Sequence, residues 1–465
     1  MRRRIYLDHA ATSPLRPVAR EAIERAWRWG MGNSASQHAE GREARSILEE
    51  ARAQVAELVG ALPEEVVFTS GATEASNLAI RGLIGPDERP MSHLVTTRLE
   101  HAATRATCEH LADEGRIVHT LANDAEGRVA FDGLEAHVAP DRSIVTVLAG
   151  HNELGTLQDL AALAERARAS RARLHLDVVQ AAGYVDLSGL EWDLLSVSSH
   201  KLGGPQGIGA LVIRGGSRLA PLLMGGAQEG GRRPGTVPVA LAAGFGAAAT
   251  AARERRPEEA ERLMRLRDRL GHLLTASRPW LRPLGPGLTA PRQALPHILS
   301  LAVTGMHGDE LVSAMDDAGI AASSSSACLV GARSHVLEAI GVPEETGALR
   351  LSLGWDTRED EIDAAARRMA QVLEHMRTLS PFERRRPVLT RRAQEAGLVL
   401  TREHLEVAEA IHAFHQAKGV LPGPRHRARI LPGDTLERLY PAGLSVLATW
   451  LGIPVPRGGC RPYAG

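Results

Sequence analysis

Only two of the 55 basic residues of this chain are lysines, Lys201 and Lys418. Arginine can replace lysine wherever positive charge suffices, but not where an amine nucleophile is required. Lys418, in a polar stretch before Gly419, reads as a surface charge. Lys201 stands in Ser198-Ser199-His200-Lys201-Leu202-Gly203-Gly204-Pro205, where an apolar run meets a glycine-rich turn. That setting suits an amine that acts covalently. Three further features share the same character. Ser70-Gly71-Ala72-Thr73 follows an apolar run and opens a helical pattern, which makes it either an anion cradle or a plain N-cap. Asp177 lies inside the apolar stretch LHLDVVQ and needs a partner there, either an ion pair or a protonated ring nitrogen. His101 reads as a core histidine, a metal ligand or a ring that stacks on a cofactor. No HxxxH or CxxC companion accompanies it, so no metal site is expected. A phosphate cradle, a buried acid, a stacking ring and a single lysine together describe a site for pyridoxal phosphate.

These residues must be positioned by strands. Apolar runs at Glu65–Ser70, His93–Thr97, Ile144–Gly150, Leu174–Val179, Leu194–Ser199 and Ala210–Arg214 alternate with amphipathic segments. One such segment places Ala44, Leu48, Ala51, Val55 and Leu58 on a single helical face. The alternation predicts a mostly parallel α/β sheet. Ser70, His101, Asn152, Asp177, Gln180 and Lys201 then all fall at or just after strand ends, where open α/β sheets bind ligands. Beyond residue 255 the pattern changes. A charged helix, a Pro/Gly-rich stretch (Pro279–Pro296), a strand at Ile298–Val303, a helix from Asp309, a Ser-rich loop, a strand at Leu349–Leu353 and a helix at Glu359–Met376 predict a smaller α+β domain.

The 465 residues suffice for several domains. The chain divides into a large domain (16–254), a small domain (1–15 and 255–379), a linker (380–392, SPFERRRPVLTRR) and a mainly helical C-terminal unit (393–465) with one clear helix, Arg402–Lys418. The 55 acidic residues balance the 55 basic ones, which argues against nucleic-acid or membrane-surface binding. No apolar run reaches the ~18 residues of a membrane span, and Val239–Ala252 reads as a buried helix. The three cysteines, Cys108, Cys328 and Cys460, cannot build a disulfide framework, so a reducing, cytoplasmic setting is expected. Cys108 lies in an apolar helical segment and reads as core. Cys328, in SSSSACLVGARSH, does not.

The first ~380 residues resemble the aminotransferase class V family and, within it, the cysteine desulfurases. The matching stretches are YLDHAAT, GNSAS, FTSGATEASNLAI, LEHAA, NELG, HLDVVQAAG, SVSSHKLGGPQGIGAL, RRPGTVPV, SSSSAC and LRLSLG. The resemblance implies a pyridoxal-phosphate-dependent transferase of fold type I that acts on L-cysteine. It implies that Lys201 carries the cofactor, His101 stacks on its ring, Asp177 pairs with the ring nitrogen and Gln180 meets the ring oxygen. Ala72, Thr73, Ser198 and His200 would contact the phosphate, with Thr236 reaching in from the other subunit of a homodimer. Arg350 would bind the substrate carboxylate, with Asn33 and Asn152 nearby, and Cys328 would be the nucleophile that takes the sulfur. Selenocysteine lyase and class V aminotransferase activities are the alternatives within the fold. A sulfur-transfer assembly protein that mainly docks partners is the alternative outside enzymes.

In the C-terminal unit, TREHLEVAEAIHAFHQ, TLERLYPAG and LGIPVPRGGC are similar to the DsrC/TusE sulfur carriers. Their chains end in an arm with a near-terminal cysteine, a position that Cys460 matches. This second resemblance implies a relay from Cys328 to Cys460 and onward to sulfur-acceptor proteins, in tRNA thiolation, iron–sulfur cluster assembly or sulfur oxidation.

Overall fold

The computed structural model describes residues 3–29, 32–83, 91–324, 334–431, 435–453 and Val455. Cys328 and Cys460 lie outside the described residues. Twelve strands occur among those described: β1 (Ile5–Tyr6), β2 (Val66–Thr69), β3 (His93–Thr97), β4 (Ile117–Leu121), β5 (Ser143–Leu148), β6 (Arg173–Asp177), β7 (Leu194–Ser198), β8 (Gly209–Ile213), β9 (Leu281–Leu284), β10 (Ile298–Thr304), β11 (Ile320–Ala321) and β12 (Thr346–Ser352).

Seven strands form the large sheet in the order β2-β8-β7-β6-β5-β3-β4. β3 through β7 pair in parallel, and only β8 runs against its neighbours β7 and β2. β2 therefore runs in the same direction as β3, β5, β6 and β7. Every residue of β2, β5, β7 and β8 is buried, as continuous apolar runs between helical layers require. Helices Pro17–Trp29, Ala39–Val59 and Val239–Glu254 pack together on this sheet. Two glycines permit the close approach. A Cβ on Gly244 would fall 2.6 Å from Ile23, and one on Gly246 would fall 2.8 Å from the Cα of Ala51.

The edge strand β4 is absent from the sequence expectations. Its residues are only half-covered, with Ile117 and Thr120 exposed, so the apolar run that marks an interior strand does not develop. The small domain is built on the antiparallel sheet β12-β10-β9 and the parallel pair β1-β11. Ile5 and Leu7 share its core with Leu263, Leu270, Met315 and Met369, so the chain begins in the domain that it completes some 300 residues later.

A third core joins Phe382, Leu389, Val407, Ile411, Leu436, Leu447 and Leu451. The segment expected as a linker is instead the helix Pro381–Glu395, part of this core. Ser380 caps it by accepting from the Glu383 N–H at 3.3 Å, and the Glu383 carboxylate accepts from the Ser380 N–H at 2.7 Å. Pro381 occupies the first helical turn, where proline costs no hydrogen bond. Phe382, Leu389 and Ala393 fall on one buried face, and Arg384, Arg385, Arg391 and Arg392 reach carboxylates of the small domain. Among the described residues, no helix is long and apolar enough to cross a membrane.

Candidate active site

Because β2, β3, β5, β6 and β7 point the same way, their carboxyl ends open onto one edge of the sheet. β7 ends at Ser198, which is buried, and runs into the short turn Ser199–Leu202 that carries Lys201. Gly203 closes this turn in the left-handed conformation, φ 80°. The Lys201 ammonium donates to the Ala10 carbonyl at 2.5 Å and to the Ala11 carbonyl at 2.7 Å. Gln180 donates to the same Ala10 carbonyl at 3.0 Å, and its own Oε1 lies 3.1 Å from Nε2 of His297. Lysine and glutamine are thus fixed from one point of the N-terminal segment.

Asp177 ends β6 and is buried. Its Oδ1 accepts from the Val179 N–H at 3.0 Å. Burial raises its pKa, and that N–H and the charges of His101 and Lys201 pull it back. His101 and Lys201 thus both act on Asp177. His101 is exposed and caps helix Ala102–Asp113, where its Nδ1 accepts from the Ala103 N–H at 3.2 Å. It is therefore not a core histidine. His200 sits beside Thr12, Nδ1 to Oγ1 3.1 Å, and burial, with the Lys201 charge second, lowers its pKa to about 4. It is a neutral imidazole at ordinary pH.

Ala72 and Thr73 open helix Ala72–Leu83 directly after β2. Gly71 faces open space, since a Cβ there would meet nothing within 4 Å. A side chain at Gly209 would strike the Val197 carbonyl at 2.7 Å and Gly71 at 2.8 Å. The backbone is thus closely packed behind the helix N-terminus and open in front of it, as an anion cradle requires. The open cradle, the buried acid and the tethered amine fit pyridoxal phosphate. Among the described residues no group of three or more His, Cys, Asp or Glu could hold a metal ion.

Arg350 lies on β12 and is buried. It donates to the Asp8 carboxylate at 2.8 Å and to the Asn152 carbonyl at 3.1 Å, and its Nε has no partner. The small domain thereby meets the loop after β5. Asn33 and Thr236 stand on exposed loops, apart from this hydrogen-bonded group. Arg233 ties the loop before Thr236 to Glu74 at 2.9 Å, next to the cradle.

Five site residues went unassigned in the sequence. Asp8 and the carbonyls of Ala10 and Ala11 belong to YLDHAAT, a motif whose individual roles only the three-dimensional contacts reveal. His297 immediately precedes β10 and belongs to none of the sequence motifs. Glu100 precedes His101 in the stretch LEHAA and carries no role of its own there. It is buried, accepts from Thr97 Oγ1 at 2.9 Å and the Leu148 N–H at 3.1 Å, and leaves Oε2 without a partner. Burial raises its pKa to about 8. Cys108 is buried, and burial pushes its thiol up to about 12, so it is inert packing.

Residues 5–365 match the family described as Aminotransferase class-V. The cysteine desulfurase IscS of Dictyoglomus turgidum is 35% identical over 390 residues, covering 82% of this chain and 98% of that protein. Its counterpart in Serratia proteamaculans is 39% identical over 389 residues, covering 81% and 95%. Among solved structures, a NifS-like protein superposes with a TM-score of 0.74 at 32% identity, over 80% of this chain and 100% of that one. DndA from Streptomyces lividans gives 0.64 at 34% identity, over 75% and 99%. With the lysine-bearing sheet edge already in view, these likenesses decide the family: the chain belongs to the aminotransferase class-V family and, within it, to the pyridoxal-phosphate-dependent cysteine desulfurases of the IscS/NifS type.

Proposed function

We propose that this enzyme takes sulfur from L-cysteine, leaves L-alanine, and holds the sulfur first as a persulfide on Cys328. The observation that carries the reading is the convergence of Lys201, Asp177 and Arg350 on one sheet edge, with Arg350 offering a partly unsatisfied guanidinium. Arg350 orients the substrate carboxylate by a charge-assisted contact. Lys201 binds the cofactor and moves the proton at the substrate's α-carbon. Asp177 holds a proton on the pyridine nitrogen, and Gln180, fixed by His297 and the Ala10 carbonyl, meets the ring oxygen. His101 covers the ring from the open side. Ala72, Thr73, Ser198 and His200 bind the phosphate, and Thr236 does so from the second subunit of a homodimer. Asn33 and Asn152 line the substrate space. When bound, pyridoxal phosphate supplies the electron sink for bond cleavage at the substrate. The Cys328 thiolate attacks the substrate sulfur, whose bond to carbon breaks.

The large domain (16–254) and small domain (1–15 and 255–379) form this desulfurase. The C-terminal unit is a DsrC/TusE-like carrier, and Cys460 receives the sulfur from Cys328 for onward transfer to an acceptor protein. The reading is supported by the C-terminal motifs and by a separate hydrophobic core. Such thiolate chemistry suits a reducing compartment, the cytoplasm. The test is product analysis with L-cysteine and with L-selenocysteine as substrates. Equimolar alanine and sulfane sulfur from cysteine are expected. Reaction with selenocysteine alone would make the enzyme a selenocysteine lyase.

A further inference from the structure

The loop that carries Thr236 is held more firmly than an exposed loop requires. Its two ends lie together: a Cβ on Gly225 would come within 2.7 Å of Pro234, and Gln228 Oε1 accepts from the Gly235 N–H at 3.1 Å. Between these ends, Glu229 has left-handed backbone, φ 51° and ψ 37°, a conformation that residues with a Cβ rarely adopt. Its side chain accounts for it. The Glu229 carboxylate accepts from both terminal nitrogens of Arg52, at 2.8 and 2.7 Å, and from the Phe68 N–H at 2.7 Å. That side chain is 2% exposed. Arg52 is buried as well, donates to the Val66 carbonyl at 2.7 Å and lies over the Phe68 ring. Three charge-assisted hydrogen bonds on a buried carboxylate hold the strained residue in place.

Arg233 supplies a second tether. Its Nε donates to Glu74 Oε1 at 2.9 Å, and Glu74 Oε2 accepts from the Ser70 N–H at 2.7 Å. Among the described residues, every hydrogen bond from residues 225–236 to the rest of the chain involves Glu229 or Arg233. Both tethers land on the chain's own phosphate cradle. Phe68 belongs to β2 and Glu74 to the first turn of helix Ala72–Leu83, on either side of Gly71. Thr236 itself is exposed, between buried Pro234 and Val237. It is presented outward from a base fixed to the cradle.

We infer that Glu229 and Arg233 are positioning residues for the cofactor of the neighbouring subunit: each chain uses its own cradle as the fixed base from which Thr236 reaches the other site. The inference rests on the homodimer reading above. A threonine hydroxyl holds a phosphate oxygen only at about 2.5–3.0 Å. A loop released from its tethers therefore loses the contact with no change in Thr236 itself. The rival account is that the two ion pairs shape only the cradle of their own chain, and the two accounts place the loss in different subunits.

The experiment uses full-length mixed dimers, purified through two different tags and dialysed against graded pyridoxal phosphate. Visible absorbance of lysine-bound cofactor reads only a subunit that keeps Lys201. In the first pairing, a wild-type chain meets a chain carrying both Lys201→Ala and Glu229→Gln, so the site that is read takes Thr236 from the altered loop. In the second, a Lys201→Ala chain meets a Glu229→Gln chain, so the site that is read takes Thr236 from an intact loop. Relative to the dimer of wild-type and Lys201→Ala chains, the half-saturating cofactor concentration should rise about tenfold in the first pairing and stay unchanged in the second. Arg233→Ala in place of Glu229→Gln should give the same pattern. The two substitutions cut different contacts, so a folding defect in one leaves the other to decide. Unchanged affinity in the first pairing, or weakening in the second, overturns the inference. Thr236→Ala in the same two pairings tests the reading beneath it. Weakening of the first pairing alone upholds the homodimer reading whatever Glu229 does. Any other result, or chains that do not pair, removes that reading and this inference with it.

Discussion

Lys201 and Gln180 share one acceptor: the Ala10 carbonyl takes the lysine ammonium at 2.5 Å and the glutamine amide at 3.0 Å. A strand end of the large sheet and the turn after its neighbour are therefore set against each other by the N-terminal segment. The amine is held where it is used, and no second lysine is near, since Lys418 lies in the C-terminal unit.

Lys201→Ala and Lys201→Arg should both lose the visible absorbance of lysine-bound cofactor. Alanine release should fall on the order of 10³-fold or more. The arginine variant fails because guanidinium is not a nucleophile. Retention of that absorbance in either variant would remove Lys201 from the site.

Cys328→Ser should bind pyridoxal phosphate as the wild type does and still change its spectrum on adding cysteine. Alanine release should drop to background, because the hydroxyl cannot take the sulfur at neutral pH. Spectroscopy and product analysis on one sample separate the two roles, and substantial turnover would count against Cys328 as the nucleophile.

Asp8→Asn should destabilise the fold by about 1–3 kcal/mol, since it leaves the buried Arg350 charge without its counter-ion. A carboxylate ligand then does more for the variant than for the wild type. L-alanine is expected to raise the melting temperature of Asp8→Asn by the larger increment. Equal increments would show that Asp8 and the substrate carboxylate do not share Arg350.

Glu100 predicts a pH dependence. Its folded pKa, about 8, exceeds the ordinary value of 4.5. Between these values the folded state keeps a proton that the unfolded chain has lost. Stability is complete below pH 4.5 and is lost as pH rises towards 8, with a limiting slope of about 1.4 kcal/mol per pH unit. Glu100→Gln, neutral throughout, should flatten the denaturant-midpoint profile over that window. An unchanged slope would place the titration elsewhere.

The interior strands and the amphipathic helices were legible because burial on both faces, or on one stripe, leaves a pattern in the residue types. His93–Thr97 and Arg402–Lys418 agree with expectation at both ends. β4 was not legible, because an edge strand with one neighbour needs little apolar surface. Helix Pro381–Glu395 was misread for the opposite reason. Its buried face includes Arg385, whose role depends on Asp309, 76 residues away, and no local pattern reports that. The same holds in the site. Lys201 and Asp177 stood out by residue type against context. Asp8, Glu100 and His297 acquire meaning only from what they touch.

The N-terminal segment has a consequence for biosynthesis. Tyr6 pairs with Ala321, Asp8 with Arg350, Ala10 and Ala11 with Lys201, and Arg16 donates to the Leu202 carbonyl at 2.8 Å. These residues are made more than 300 positions before Ala321 and Arg350 and must wait for those partners. At 5–20 residues per second, the wait between Tyr6 and Ala321 is on the order of 15–60 s. Through that interval the cofactor lysine lacks the strap that seats it, and the enzyme matures only once its small domain is made. Nascent chains stalled with Ala321 still inside the ribosome should not retain pyridoxal phosphate, whereas chains released through Thr378 should. The YLDHAAT motif is in this sense the latch of the finished molecule, and the order of synthesis defers catalytic competence until the small domain has been made.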